Sequence, residues 1–455
     1  MNIFEIFANS AFQKLPNIKK FAIVDFLKIQ AKTLNIINLI IFLCFLFFVF
    51  QACKDRPKNL TSENCPSHSI QVTEVTLKSE CPTSFLKKAD GNCYYNFPYK
   101  NSNDSYSGLR KQIPIKKDGL SPKKIDLGRI LFFDPILSGD NSISCAHCHH
   151  PAFGLSDGRD LSMGTGGCGL GPNRAGGKII SRSSPSIWNV AFYDLLFWDG
   201  RAATLEDQAL GPLFSPIEMN ANKDDLKKKI NSNPVYEKLF REVYGKEYQG
   251  KITVQHIAGA LADFERTLIS MNSKYDKFVW GEKKAINEEE LKGFNIYRSF
   301  LTRCSECHPP PLFTTNETAI IGAPDHKNLQ FDKGRENLTG QSALKGDFKI
   351  PGLRNIALTS PYMHSGAILT LDEIVNFYNK GGGRESHSYG ELDINWHVRE
   401  IGLREDEKKA LVLFLHTLTD ETNLPSIPDK VPSGLPVPKG TNNITSNQIQ
   451  KRNSK

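Results

Sequence analysis

Two short clusters carry most of the chemistry open to this chain: CAHCH at residues 145–149 and CSECH at residues 304–308. Each sets two thiols three positions apart and follows them at once with an imidazole. Thiols at that spacing can each bond one vinyl group of the same porphyrin, and the adjacent histidine then reaches the iron as proximal ligand. A zinc ion could use the same residue types, but it would need four ligands closed into a tetrahedron. A redox dithiol would call for a βαβ context, which the flanking sequence lacks. Two occurrences, each behind a predicted helix, favour covalent c-type haem at Cys145, Cys148 and His149 and again at Cys304, Cys307 and His308.

The second axial position then decides what each iron does: a filled one moves electrons, and a vacant one can bind a small oxidant. His150 adjoins His149 and cannot fold over the opposite haem face. No other histidine precedes the aromatic stretch near Trp188, and Met163, in a glycine-rich loop, is the only local candidate ligand. The first haem is therefore expected to be open on one side, with His147 a variable position and His150 at the surface or haem edge. In the second block Met363 is the one methionine. Tyr378 lies in TLDEIVNFYNKGGG, where Thr370 and Glu373 form a capping box and Leu371, Ile374, Val375 and Tyr378 share one face. By pattern alone Tyr378 and Trp198 read as core aromatics, and Glu218 as a solvated surface residue.

The elements that must position these groups are helical. A one-face apolar pattern runs through IDLGRILFF and stops at Pro135. Further helical patterns lie in TLEDQALGPL, DDLKKKI, NPVYEKLFREVYG, TVQHIAGALADFERTLI, INEEELKGFNIYRSF, TLDEIVNFY and REDEKKALVLFLHTLTD. The order helix, CxxCH, long loop, helices occurs twice, and no alternating run argues for a substantial sheet. The expected fold class is all-α: two helical domains arranged as a divergent repeat, each with a covalently bound haem, plus an N-terminal export segment and irregular tails. Residues 119–282 form the first domain and 283–422 the second. Residues 54–118 read as a polar, Cys-containing linker or small module, and 423–455 as a disordered tail.

Residues 33–52 are apolar and uncharged, with lysines before them and Ala52-Cys53 at their end. That pattern fits a lipoprotein signal with Cys53 as the acylated terminus, an uncleaved anchor, or a plain cleaved signal; all three take residues 1–53 as an export segment and the remainder out of the cytoplasm. Cys65, Cys81, Cys93 and Cys168 are an even set suited to disulfides in an oxidising compartment. The formal charge of +8 is spread along the chain, and no basic run interleaves with aromatics, which excludes nucleic acid as an expected partner.

LGRILFFDPILSGDNSISCAHCHHPAFGLSDG, FWDGRAATLEDQALGPLFSPIEM and LRNIALTSPYMHSG together resemble the bacterial dihaem cytochrome c peroxidase family, which includes the MauG enzymes; the likeness spans about residues 120–420. The resemblance implies two cytochrome c-like domains meeting at a shared interface, with a peroxidatic first haem and an electron-transfer second haem. It makes Trp198 the relay between them, Glu218 the acid/base carboxylate and Gln208 a polar neighbour in the same pocket. Tyr378 falls where the family places the second haem's distal ligand, methionine in classical peroxidases and tyrosine in the MauG class. The histidine that often blocks the first haem is absent, so prior reduction is not expected to be needed. The family's calcium site maps to the carbonyls of Thr359 and Pro361, with Ser183 replacing an asparagine, a poorer ligand for a hard cation. Together with the export segment, the resemblance implies a periplasmic, membrane-anchored enzyme, a possible homodimer, that reduces hydrogen peroxide with electrons from a small carrier such as cytochrome c. The alternatives are a MauG-like oxidase of a protein or organic substrate, and a dihaem electron carrier without catalysis.

Overall fold

Gly128 and Gly293 mark the places where the fold repeats itself. In the computed structural model, which describes residues 69–101, 109–384 and 392–440, helix α1 (Pro122–Phe133) crosses a later helix at Gly128. A Cβ there would stand 1.9 Å from the Ala260 carbonyl oxygen and 2.8 Å from the Phe264 Cβ. A Cβ on Gly293 would stand 1.9 Å from the Ala410 carbonyl oxygen and 2.9 Å from the Phe414 Cβ. Only glycine permits so close a helix crossing.

Between α1 and its partner come α2 (Cys145–Cys148), α3 (Leu205–Phe214), α4 (Lys223–Asn231), α5 (Pro234–Tyr244) and the partner itself, α6 (Val254–Glu265). The second half holds α7 (Lys274–Val279), α8 (Glu288–Tyr297), α9 (Cys304–Cys307), α10 (Glu336–Thr339), α11 (Leu371–Asn379) and α12 (Glu405–His416), with α8 crossing α12. Among the described residues the strands form only two antiparallel hairpins, β1–β2 (Phe85–Lys87, Cys93–Tyr95) and β3–β4 (Thr318–Ile320, Asp347–Lys349). Each half has its own core. Phe132, Phe133, Phe240 and Phe264 lie in the first, and Tyr275, Phe294, Tyr297, Phe313 and Phe414 in the second. Tyr275 and Val279 precede the expected boundary at 282 yet belong to the second core, where the Tyr275 ring meets Phe294, Phe313 and Phe414.

Residues 69–118 are more than a linker. A Cys81–Cys93 disulfide closes the first hairpin, Tyr95 and Phe97 pack on Phe192 in the first core, and Phe85 packs on Tyr95. Tyr99 donates to the Asp276 carboxylate at 2.6 Å, and Arg354 meets the same carboxylate with both terminal nitrogens at 2.7 Å. One buried, fully paired charge cluster thus joins three distant segments.

The expectation of disorder from residue 423 onward is corrected for 423–440. Val431 is fully buried in the first core, Gly434 receives the Ile70 N–H, and Ser433 donates to the buried Asp134 at 2.6 Å. The reason is physical: the segment carries too few periodic apolar residues to read as an element, but its prolines fix an extended path that delivers Val431, Leu435 and Val437 to an existing core. Ser433→Ala is expected to cost about 1.5–3 kcal/mol, the range for a hydrogen bond to a charged group, as measured by chemical denaturation. Ser426→Ala, at the exposed Lys78 contact, should cost under about 0.5 kcal/mol. The expected export segment, Cys65 and residues 441–455 lie outside the described residues, among which no helix is long and apolar enough to cross a membrane.

Candidate functional site

Both CxxCH motifs open into one cavity of about 1000 Å³, and its walls include all four motif cysteines, His149 and His308. α2 and α9 are single turns, and each histidine follows as the residue that ends the turn, its N–H bonded to the first cysteine's carbonyl. The imidazoles are held alike. Nδ1 of His149 lies 3.1 Å from the Leu155 carbonyl oxygen, and Nδ1 of His308 lies 3.0 Å from that of Phe313. A carbonyl accepts only, so Nδ1 carries the proton and the Nε2 lone pair is left for a metal. Burial pushes His149 down to about 4 and His308 in the same direction, which keeps both rings neutral.

The cysteines are not disulfide-bonded despite their spacing. Burial raises Cys145 to about 12 and Cys304 to about 11. A dithiol poised for redox exchange would show the opposite shift, and free thiols at this spacing beside a histidine are what thioether attachment uses. Lys349, which nothing in the sequence pattern singles out, lines the same cavity with its Nζ 4.1 Å from the Tyr193 ring centroid and no acidic partner among the described residues. Burial, reinforced by Lys116, lowers it to about 7. Together with Arg182, Arg201 and Arg354 on the same walls, it gives the cavity basic groups that match the anionic propionates of a porphyrin. These features fit haem at both motifs.

The other expected site residues are brought to the same cavity: Trp198, Gln208, Glu218 and Tyr378, as well as Ser183, Thr359 and Pro361. Trp198 donates from Nε1 to the Ser183 carbonyl at 2.8 Å, while its own carbonyl accepts from Lys349 N–H at 2.7 Å. It is thereby fastened to both halves, with its ring edge-on to His364 at 6.5 Å. Gln208 stands on α3. Glu218 follows α3 in a turn closed by its N–H to the Ser215 carbonyl. Burial raises the Glu218 carboxyl above its ordinary value, against the opposing pull of Ser215 and Arg201.

Met163 is ruled out as a candidate ligand: it is not among the cavity residues, and its sulfur accepts the Gly177 N–H at 3.2 Å. His150 is not at the surface. It is 1% exposed, its Nδ1 accepts from Ala152 and its Nε2 meets the Pro438 carbonyl at 3.1 Å, a partner supplied by the packed tail. His147 is also buried and caps α2 by accepting the Ser144 N–H. Among the described residues no group of three or more His, Cys, Asp or Glu converges on a metal position.

A second repeat lies across the cavity. Thr204 caps α3 by accepting the Asp207 N–H at 3.1 Å, and Thr370 caps α11 by accepting the Glu373 N–H at 3.1 Å. The bridges Leu196–Ala202 and Tyr362–Ile368 precede the two caps in the same way. Counting on from the caps, Gln208 matches Ile374 and Pro212 matches Tyr378, and all four line the cavity. The helix beside the second motif presents a phenol where the helix beside the first presents a proline.

A family model described as di-haem cytochrome c peroxidase matches residues 122–284. The methylamine utilization protein MauG of Methylorubrum extorquens is 34% identical over 316 residues, covering 69% of this chain and 84% of that protein. The chain belongs to the di-haem cytochrome c peroxidase family. Cytochrome c551 peroxidase of Nitrosomonas europaea is likewise 34% identical, over 330 residues covering 72% of this chain and 89% of that protein. A solved MauG-like protein associated with microbial copper homeostasis matches with a TM-score of 0.59 and 30% identity, covering 67% of this chain and 92% of that one. As a family member the chain has the all-α fold of two cytochrome c-like domains, and the family implies two haems.

Proposed function

We propose that the protein reduces hydrogen peroxide to water at the first motif, with electrons that enter at the second from a small redox carrier such as cytochrome c. The observation that carries this reading is the unequal pair Pro212 and Tyr378 at matching places on α3 and α11. Proline has no side-chain donor, so α3 leaves the side of the cavity it covers open to a small ligand. Tyr378 can close the other. When bound through Cys145, Cys148 and His149 and through Cys304, Cys307 and His308, the two haems supply the iron for O–O cleavage and for one-electron carriage.

The chain's own residues then manage protons and access. The Glu218 carboxylate takes the proton from the near peroxide oxygen and returns it to the far one, which leaves as water; two electrons and two protons complete H2O2 to two waters. Gln208, on the face of α3 that precedes Pro212, offers an amide to orient the peroxide. Trp198, tied by hydrogen bonds to both halves, serves as the electron path between them. The Cys81–Cys93 disulfide supports a periplasmic location. A division into two domains with α7 in the second, membrane attachment through the N-terminal segment, homodimer formation and a calcium ion on the Thr359 and Pro361 carbonyls belong to the same proposal. Metal analysis after chelation and light scattering test the last two directly.

Tyr378 and the likeness to MauG favour one second reading, an oxidase that withdraws electrons from a protein or organic substrate. Adding stoichiometric peroxide to the oxidised protein, followed by reduced cytochrome c, separates the two. Many turnovers of cytochrome oxidation are expected. A long-lived oxidised state with negligible cytochrome turnover would replace peroxide reduction with the MauG-like reading.

A further inference from the structure

Glu265 ends α6 and is 7% exposed, and its carboxyl lines the cavity on the side of Cys145. Among the described residues no side chain or backbone group hydrogen-bonds to it or forms an ion pair with it. The charges around it are engaged elsewhere. Arg266 holds Glu206 of α3 at 2.8 Å and Asp263 at 2.9 Å, and Asp263 also binds Lys117 at 2.5 Å and Lys124 of α1 at 3.2 Å. Of the groups facing Glu265, Arg266 favours its ionised form and Glu206 opposes it, while Glu265 in turn raises Cys145 on α2. Burial dominates and pushes the carboxyl up to about 8. Glu218, another carboxyl of the cavity, acts on Cys148 rather than Cys145.

The internal repeat shows that packing does not require an acid here. Ala260 and Phe264 back onto Gly128 as Ala410 and Phe414 back onto Gly293. One residue further, Glu265 matches Leu415, which is 6% exposed and lines the same cavity on the second-motif side. Leucine fills this place without cost, whereas a buried carboxyl without a partner lowers stability. Its presence on one side alone asks for a role at the first motif.

We propose that Glu265 is a proton-coupled tuning residue of the first site, neutral when the iron held by His149 is reduced and ionised when that iron is oxidised. The inference rests on the proposed function, in which the peroxidatic haem sits at His149 and receives its electrons from the haem at His308. When that iron gives up one electron to a one-electron oxidant, such as an oxidised carrier cytochrome, the Glu265 O–H bond breaks and one proton leaves for solvent; both return when the reduced carrier supplies the electron. The carboxylate offsets the added positive charge in a site where low dielectric makes such a charge costly. Glu265 touches no substrate in this scheme.

The test is spectroelectrochemical titration of the holoprotein between pH 6 and 9.5, following the two irons separately, for the wild type, Glu265→Gln, Glu265→Leu and Glu265→Asp. In the wild type the first-site midpoint potential is expected to fall as pH rises through this range. That dependence should be lost in the Gln and Leu variants, kept in the Asp variant, and unchanged at the second site throughout. Redox-difference infrared spectra should show a protonated-carboxyl band disappearing on oxidation of the wild type and no such band in Glu265→Gln. The Leu variant guards against misfolding, because Leu415 shows that the repeat accepts leucine. Equal pH dependence in the wild type and both neutral variants, or an equal change at the second site, would overturn the proposal. Peroxide turnover measured on the same samples reads the proposed function separately: a wild type without turnover would remove peroxide reduction, while the potentials would still decide Glu265.

Discussion

Glu218→Gln is expected to slow peroxide cleavage by about 10²–10⁴-fold, the usual contribution of a positioned acid/base group, with both haems still attached. Amide for carboxylate preserves the shape of the turn after α3, where the Glu218 backbone is held by Ser215 and Thr165, so the loss isolates proton transfer. The pH profile gives a second reading of the same group. Burial holds the Glu218 carboxyl above its ordinary value. The carboxylate must be ionised to take the peroxide proton, so the rate should fall as pH drops through that raised pKa, on an acid limb displaced upward from the normal carboxylate range. In Glu218→Gln the residual rate should lose this limb. Stopped-flow mixing of oxidised protein with peroxide measures both effects, and an unchanged rate with an unchanged acid limb would take Glu218 out of the mechanism.

The parts of the fold that are legible in the sequence are those where local pattern and local geometry coincide. The helix α1 is visible because Ile125, Leu127, Ile130 and Leu131 keep helical spacing up to Pro135, and α11 because Thr370 and Glu373 cap it reciprocally, as they do in the structure. The CxxCH motifs compress thiols and imidazole into five residues, so their meaning needs no tertiary information. What escapes depends on distant pairings. The match of Pro212 with Tyr378 is hidden because the repeat has no constant period: Thr204 corresponds to Thr370, yet Ala260 corresponds to Ala410. Glu265 reads as one more polar residue at a helix end until its neighbours' charges are seen to be spent on each other. His150 reads as exposed because nothing local reveals that Pro438 returns to cover it. Lys349 sits in a short strand whose pattern says nothing of the cavity behind it.

Tyr378→Met is expected to raise the midpoint potential of the haem at His308 by on the order of 0.1 V, a modest part of the roughly 0.8 V that axial ligands span. The Tyr378 hydroxyl has no hydrogen-bond partner among the described residues, and its ring lines the cavity with Leu371, Ile374 and Val375 on the buried face of α11. Burial, with the nearby Cys307 and Cys304, resists its ionisation, so without an iron it would remain a neutral phenol. As a ligand it would bind as an anionic oxygen, which favours ferric over ferrous iron; a thioether has the reverse preference. Methionine also fits the space, being flexible enough to fill an aromatic's place. The consequence reaches function: a higher potential at the entry site makes electrons from a reduced cytochrome easier to accept, so turnover with that donor should rise, and oxidation of a more demanding organic or protein substrate should change relative to it. Tyr378→Phe separates ligation from packing, since it keeps the ring and removes only the oxygen. If Tyr378 ligates, this variant should show a new high-spin ferric signal from the second haem. Identical spectra and potentials in wild type, Phe and Met proteins would return Tyr378 to the role its sequence pattern indicates, a tyrosine buried on the inner face of its helix.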